Sequence, residues 1–244
     1  MTGGRLIVMG RDASGIRAFA LDKELVSAER RESTEAEALS ALNADGARLV
    51  RIGDGCPDTV PCAVLPTEGD ALPAVVQDQP ADILDGWVRL SIAGFLARHE
   101  NWDGVLCVLQ GDISHWVHIS ANEIVSCASF LTHRLIATLG GSEVPDPAAM
   151  ADSQSRPERL AQYLRQAEIT GNAAAITGTL IGAELAASRV YWLGQLVGVI
   201  APQGAASIHA QALSAQGVPV TSYTAEDLIP DGLAALAKHL DGEI

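Results

Sequence analysis

The chain has 244 residues, 48% of them hydrophobic and only 4% aromatic, and thirty acidic against sixteen basic side chains leave a net charge of −14. That length buries a sizeable core, in one large domain or two small ones, and the apolar content excludes a disordered chain. An acidic chain repels phosphate backbones, so neither nucleic acid nor an anionic membrane is expected as a partner; a small anion held by local N–H groups stays open. The two lysines, Lys23 and Lys238, follow no glycine-rich turn, which excludes a P-loop. Cys56, Cys62, Cys107 and Cys127 form no CxxC pair and read as reduced, partly buried thiols. Met1–Arg5 carries no charged leader before an apolar run, and Glu184 and Arg189 interrupt the apolar region from Ala173 to Ala201. Neither a signal peptide nor a membrane span is expected, and the expected location is the cytoplasm.

Arg5–Met9, Ile16–Leu21 and Leu25–Glu29 read as three short strands, the last two joined by the tight Asp22-Lys23 turn. Ser33 is an N-cap for a helix over Ser33–Leu42, and Ala47–Ile52 is a strand. Residues 53–80, rich in Gly, Pro and Asp, read as loop with one strand at Cys62–Leu65. Asp82–His99 reads as an amphipathic helix that Asp82 and Asp85 begin. Gly104–Leu109 is a buried strand, and His115–Ile119 and Glu123–Cys127 form a hairpin. Phe130–Leu139 is a helix and residues 140–155 a linker. Helices over Pro157–Gln166 and Ala173–Ser188, a strand over Gly194–Ile200, a helix over Ala205–Gln216, a strand over Val218–Thr221 and a helix over Ala225–Leu240 complete the chain. Strands alternating with helices after a three-stranded meander predict an α/β protein with mixed sheets.

The meander begins again near residue 104, and each first strand runs into a turn with Gly, Asp, an apolar residue and Ser: Gly10-Arg11-Asp12-Ala13-Ser14, then Gly111-Asp112-Ile113-Ser114. Two such turns can close on a nucleotide phosphate tail. Gly lets the backbone approach, N–H groups and a hydroxyl donate, and a carboxylate holds Mg²⁺ or accepts the proton of an attacking hydroxyl. Asp12 and Asp112 fit the carboxylate role, and Ser14 and Ser114 the donor role. The alternative is that each Asp and Ser caps its own turn. His115 follows the second turn and suits either a phosphate donor or an ordinary strand histidine. Trp116 and His118 share one face of their strand, where a solvent-side aromatic is the commoner reading. Arg89 and Arg98 read as solvated face, and Trp87 as core. Glu184 reads as a partner of Arg189 or as exposed, and Gly178 and Gly182 as a close helix contact within the fold or between two copies of a homo-oligomer.

Three stretches carry a resemblance to a known family. Leu6–Phe19 resembles an opening strand and hairpin usually written IAVDWGTTNLRAWL; Val105–Val117, continuing to Ser129–Thr132, resembles LVCLPGTHSKWV and TFMTGELFALL; Thr179–Ala187 resembles GLLIGAELAAA. Pro80–Gly86 is similar to a PDVMRGEE segment, and Val199–Ala201 to a late strand end beside an adenosine site. All belong to the 2-dehydro-3-deoxygalactonokinases, sugar-acid kinases of the actin-like ATPase superfamily. The resemblance implies a two-lobed actin-like fold, ribonuclease H-like in its mixed sheets, with residues 1–103 as the first lobe and 104–244 as the second. It also implies a cleft between the lobes and ATP with Mg²⁺ as the phosphoryl donor. The expected catalytic residues are then Asp12, Asp112 and His115, with Asp12 and Asp112 on the metal. Gly10, Ser14, Gly111, Ser114 and Ala201 are expected at ATP, and Arg17, Asp82 and Asp85 at the sugar acid.

The chain also departs from the family pattern. Gly10 stands where the family has its first acid, His115 stands where it has Lys, and Gly86-Trp87-Val88 replaces Gly-Glu-Glu. The stretch between residues 52 and 80 is shorter than the family's. The departures leave two expectations side by side: a kinase with relocated acids, or a weakened relative that binds a sugar acid or a protein partner.

Overall fold

A computed structural model describes residues 5–66, 69–202 and 205–242, with the side chains of residues 205–207 excepted. The reading of the chain start falls on Met1–Gly4 and, like residues 67–68 of the 53–80 loop, lies outside the described residues. The elements in order are β1 (Leu6–Asp12), β2 (Gly15–Asp22), β3 (Leu25–Glu32), α1 (Glu35–Ala41), β4 (Arg48–Ile52), β5 (Asp58–Thr59), β6 (Cys62–Ala63), β7 (Ala71–Leu72), β8 (Val75–Gln77), β9 (Asp82–Leu84) and α2 (Gly86–Arg98). There follow β10 (Gly104–Gln110), β11 (Ile113–Ser120), β12 (Glu123–Phe130), α3 (Thr132–Thr138), α4 (Pro147–Ser155), α5 (Leu160–Thr170), α6 (Ala173–Ala187), α7 (Arg189–Trp192), β13 (Val197–Ile200), α8 (Ala205–Ala215), β14 (Val220–Tyr223) and α9 (Ala225–Leu240). No helix among the described residues is long and apolar enough to cross a membrane.

Two units divide these elements. The first holds residues 1–102, 120–125 and 225–244, and the second holds 103–119 and 126–224. The sequence places everything after residue 103 in one lobe; α9 instead packs on α2 in the first unit. Glycines on both helices make that packing close: a Cβ at Gly94 would overlap the Leu228 carbonyl, and one at Gly232 the Leu90 carbonyl.

The first unit's main sheet runs β3-β2-β1-β4-β7, with β1 antiparallel to β2 and parallel to β4. β1 is central, so both of its faces are covered and its apolar run is continuous. Ile7 and Met9 face Ala38 and Leu42, while Leu6 and Val8 face Leu90, Leu233 and Leu236. Thr34 caps α1 in a box with Glu37, one residue beyond the Ser33 expected from sequence. α2 begins at Gly86 rather than at residue 82: Asp85 is its N-cap, and Asp82 belongs to β9. The 53–80 stretch contributes four two- or three-residue strands, not one. Arg89, expected on a solvated face, is buried and donates to the Val64, Pro73 and Ala63 carbonyls at 2.6–3.0 Å while pairing with Asp58 at 2.7 Å. Those carbonyls belong to the irregular stretch that wraps α2, and a single guanidinium satisfies them.

The second unit repeats the order as β12-β11-β10-β13-β14, with β10, β13 and β14 mutually parallel. Val105, Cys107 and Leu109 of β10 pack with Trp116 against Ile181, Leu185 and Leu213. Trp116 is fully buried, because β11 lies inside the sheet and α6 contributes to the core that covers this face. Residues 140–155, read as a linker, contain α4, which Asp146 caps and which lies on α6. A Cβ at Gly178 would overlap the Asp146 carbonyl, and one at Gly182 the Met150 carbonyl. The small-residue face of α6 is therefore occupied by α4 of the same chain and is closed to a second copy.

Candidate active site

β1 and β4 run parallel, and their pairing ends at Gly10 and Ile52. An open cleft of about 330 Å³ lies at these carboxyl ends, lined by Gly10, Arg11, Glu35, Arg51 and Asp54 among others. Ligands of open α/β sheets settle in this position. The turn that leaves β1 is built around Asp12: its Oδ1 accepts from the Ser14 N–H at 2.7 Å and the Ser14 hydroxyl at 2.6 Å, and its Oδ2 accepts from Arg31 at 3.0 Å. Partial burial pushes the Asp12 carboxyl up, but the Ser14 bonds and Arg31 outweigh it and hold the group below the usual range. Gly15, at φ 135°, closes the turn with the Glu32 carbonyl 2.6 Å from where a Cβ would sit.

Gly10 has a packing reason of its own. A Cβ there would lie 2.9 Å from the Cβ and carbonyl of Ile52 and 3.2 Å from the Trp87 ring. Trp87 in turn donates its indole N–H to the Arg11 carbonyl at 2.8 Å. Arg17 points elsewhere: it is buried, pairs with Glu29 at 2.8 Å and Glu226 at 2.7 Å, and lies over Phe19 and Trp87. Asp85 spends one oxygen on the Trp87 and Val88 N–H groups, and Asp82 accepts from the Ile83 N–H.

In the second unit the turn after β10 places Gly111 at φ 60°, with open space above its α-carbon. Asp112 accepts from Nε and Nη2 of Arg134 at 2.6 and 2.9 Å, and this pairing holds its carboxyl below the usual range. Ser114 is fully buried, and its hydroxyl has no hydrogen-bond partner among the described residues. His115 is 6% exposed, with Nδ1 2.6 Å from the Ser129 hydroxyl. Ala201, at the end of β13, is buried and donates to the Tyr223 carbonyl. The structure thus gathers Asp12, Ser14 and Gly10 at one turn and Gly111, Asp112 and Ser114 at another, and leaves Arg17, Asp82 and Asp85 in structural contacts.

Sequence reasoning missed Arg134, which brings to the second turn a fixed positive charge, the kind that the family's lysine would carry. Its signal was its place two residues after Thr132, just beyond the Ser129–Thr132 stretch compared with the family. It also missed the surroundings of Glu184. This carboxylate is neither exposed nor paired with Arg189: it is buried, and its Oε1 lies 2.9 Å from the Trp116 indole nitrogen and 3.1 Å from His209 Nε2. Burial pushes its pKa up, yet His209 and hydrogen bonds from His209, Thr132 and Trp116 prevail and hold it at about 2. An acid flanked on both sides by apolar helix was the available signal.

A model of the 2-keto-3-deoxy-galactonokinase family matches residues 150–236, and the resemblance read from the sequence is found independently over that third of the chain. A candidate 2-dehydro-3-deoxygalactonokinase from Sinorhizobium meliloti superposes with a TM-score of 0.79 at 20% identity, covering 96% of this chain and 99% of that one. The fold is therefore the two-fold repeated α/β architecture of that protein. The activator of the 2-hydroxyisocaproyl-CoA dehydratase from Clostridium difficile, solved with ADPNP, gives a TM-score of 0.49 at 9% identity over 98% of this chain and 95% of that one. Comparison with curated proteins finds no match.

Proposed function

We propose that the chain is an ATP-dependent kinase of a sugar acid, with 2-keto-3-deoxygalactonate as the acceptor. The observation that carries this reading is the family match over residues 150–236. The cleft at the ends of β1 and β4 supports it. Arg11 is exposed there, and its side chain enters no ion pair among the described residues, so it is placed to take the substrate carboxylate. Asp12 is the next residue after Arg11, in the turn that leaves β1, and is ionised, as a proton acceptor for the sugar hydroxyl must be.

The chain's residues fit ATP and Mg²⁺ in donor chemistry. Asp12 and Asp112 are ionised oxygen ligands of the hard type that Mg²⁺ takes, each balanced by an arginine. Bound Mg²⁺ neutralises charge that builds on the phosphates during transfer. The Gly111 turn offers backbone N–H groups over open space, and Arg134 adds charge-assisted donors once Asp112 turns to the metal. The Asp112–Arg134 pair is exposed and such pairs are worth little, so Asp112 exchanges partners easily.

A second reading is favoured by Gly10. Its contacts with Ile52 and Trp87 leave no room for the acid that the family carries there. A chain without that acid binds the sugar acid but transfers phosphate slowly. Coupled measurement of ATP consumption with 2-keto-3-deoxygalactonate tests both. Turnover that falls with Asp12→Asn supports the kinase, and sugar-acid binding by calorimetry without turnover supports the weakened relative. Absence of both ATP and sugar-acid binding overturns the two readings together.

A further inference from the structure

We propose that Cys107, Glu184 and His209 form a buried zinc site inside the second unit, with His133 beside it. The three come from separate elements, β10, α6 and α8, and each is buried. One ligand atom from each lies within 4.8 Å of the others. Zinc bonds of about 2.0–2.3 Å in a tetrahedron set ligand atoms roughly 3.5 Å apart, so the trio closes on a cation by movements of about 1 Å.

The hydrogen-bond pattern around the trio is incomplete, and this carries the proposal. Trp116 and His209 both meet Glu184 at Oε1, and Thr132 is a third donor to this carboxylate; Oε2 is buried, with no hydrogen-bond partner within bonding distance among the described residues. His209 is fully buried, and its Nδ1 has no hydrogen-bond partner among the described residues either. His133 Nε2 is a third such atom, on a ring whose centroid lies 5.4 Å from that of His209. Buried polar atoms are nearly always satisfied, so unsatisfied ones on Glu184 and His209, two members of a cluster that includes a thiol, and on the neighbouring His133 point to a bound ligand. The ligand is a cation, since the unmet atoms are a carboxylate oxygen and imidazole nitrogens.

Donor type selects the metal. A thiolate and an imidazole favour zinc over Mg²⁺ or Ca²⁺. One thiolate and one carboxylate balance Zn²⁺, and an uncharged complex suits an interior without water. Burial holds the Cys107 thiol protonated, with the Glu184 charge adding to the effect; zinc displaces that proton, as it does from coordinating thiols in general. Trp116 N–H stays on Oε1 and orients the carboxylate from outside the metal shell. All three ligands are buried, so the site is structural, and it loads as the unit folds.

The test is to unfold the full chain in chelator and refold it with Zn²⁺ or Co²⁺. We expect one metal per chain to remain after desalting, a rise in Tm over metal-free protein, and a thiolate-to-cobalt charge-transfer band. Cys107→Ser removes that band, and His209→Asn weakens zinc binding by about 10-fold to 100-fold or more, the range known for loss of a supporting ligand partner alone. Cys56→Ser, at an exposed thiol, changes nothing. Wild type that retains no metal after refolding overturns the proposal, whatever the folding of the variants. So does a charge-transfer band that survives Cys107→Ser. Because the readouts are metal content and spectra, they stand apart from kinase activity.

Discussion

Arg17 on β2 donates to both oxygens of Glu226 on α9, at 2.8 and 2.7 Å, across 209 positions of sequence. The same guanidinium holds Glu29 of β3 and covers the Phe19 and Trp87 rings. One side chain therefore ties the opening meander to the last helix. Arg17→Ala is expected to cost about 2–3 kcal/mol by urea unfolding, because it strips cover from two aromatic rings as well as breaking the pairs. Glu226→Gln, at the more exposed end, is expected to cost less than about 1 kcal/mol. An Arg17→Lys variant that loses stability, with an unchanged KM for the proposed sugar acid, identifies the arginine as structural. A large rise in KM instead returns it to the substrate.

Gly182→Ala places a methyl group against the Met150 carbonyl of α4. Backbone cannot yield as a flexible side chain does, so a loss of about 1–3 kcal/mol is expected, toward the upper end. The shift in urea midpoint measures it. Gly171→Ala, whose Cβ meets nothing within 4 Å, should cost only the strain of its φ of 64°.

Asp112→Ala is expected to lower phosphoryl-transfer turnover by at least about 10²-fold. Arg134→Ala should instead weaken ATP binding by about 10-fold or more, since it removes donors to phosphate and leaves the metal ligand. Calorimetry with ATP and with Mg-ATP separates the two effects. Equal behaviour of both variants toward both forms removes this turn from the nucleotide site.

Gly10→Asp restores the acid of the family pattern at the end of β1. Its Cβ meets Ile52 at 2.9 Å, so a lower Tm is expected and no gain in ATP consumption. A gain in turnover at unchanged Tm would show that β4 and Trp87 yield to it.

Trp116→Phe keeps the bulk of a buried ring and deletes the N–H that Glu184 Oε1 accepts. A buried carboxylate that loses a donor is costly, and a loss of about 1–3 kcal/mol is expected from chemical denaturation of metal-free protein.

The local pattern of the sequence determined most of the elements. The apolar runs of β1 and β10 and the turn chemistry after each marked the repeat, which the two sheets display as the same strand order. The Asp12–Ser14 turn was also legible, because an Asp that bonds the N–H two residues on needs no distant partner. Only the tertiary structure decided which distant groups meet. Asp146 opens a helix inside a stretch that reads as linker, and that helix exists because Gly178 and Gly182 leave a groove for it. Arg89 and Glu184 look like surface charges in one dimension; their partners lie 26 and 68 positions away, and burial without those partners would be prohibitive. Propensity and period act over a few residues, whereas the pairing of buried charges depends on which elements the core brings together.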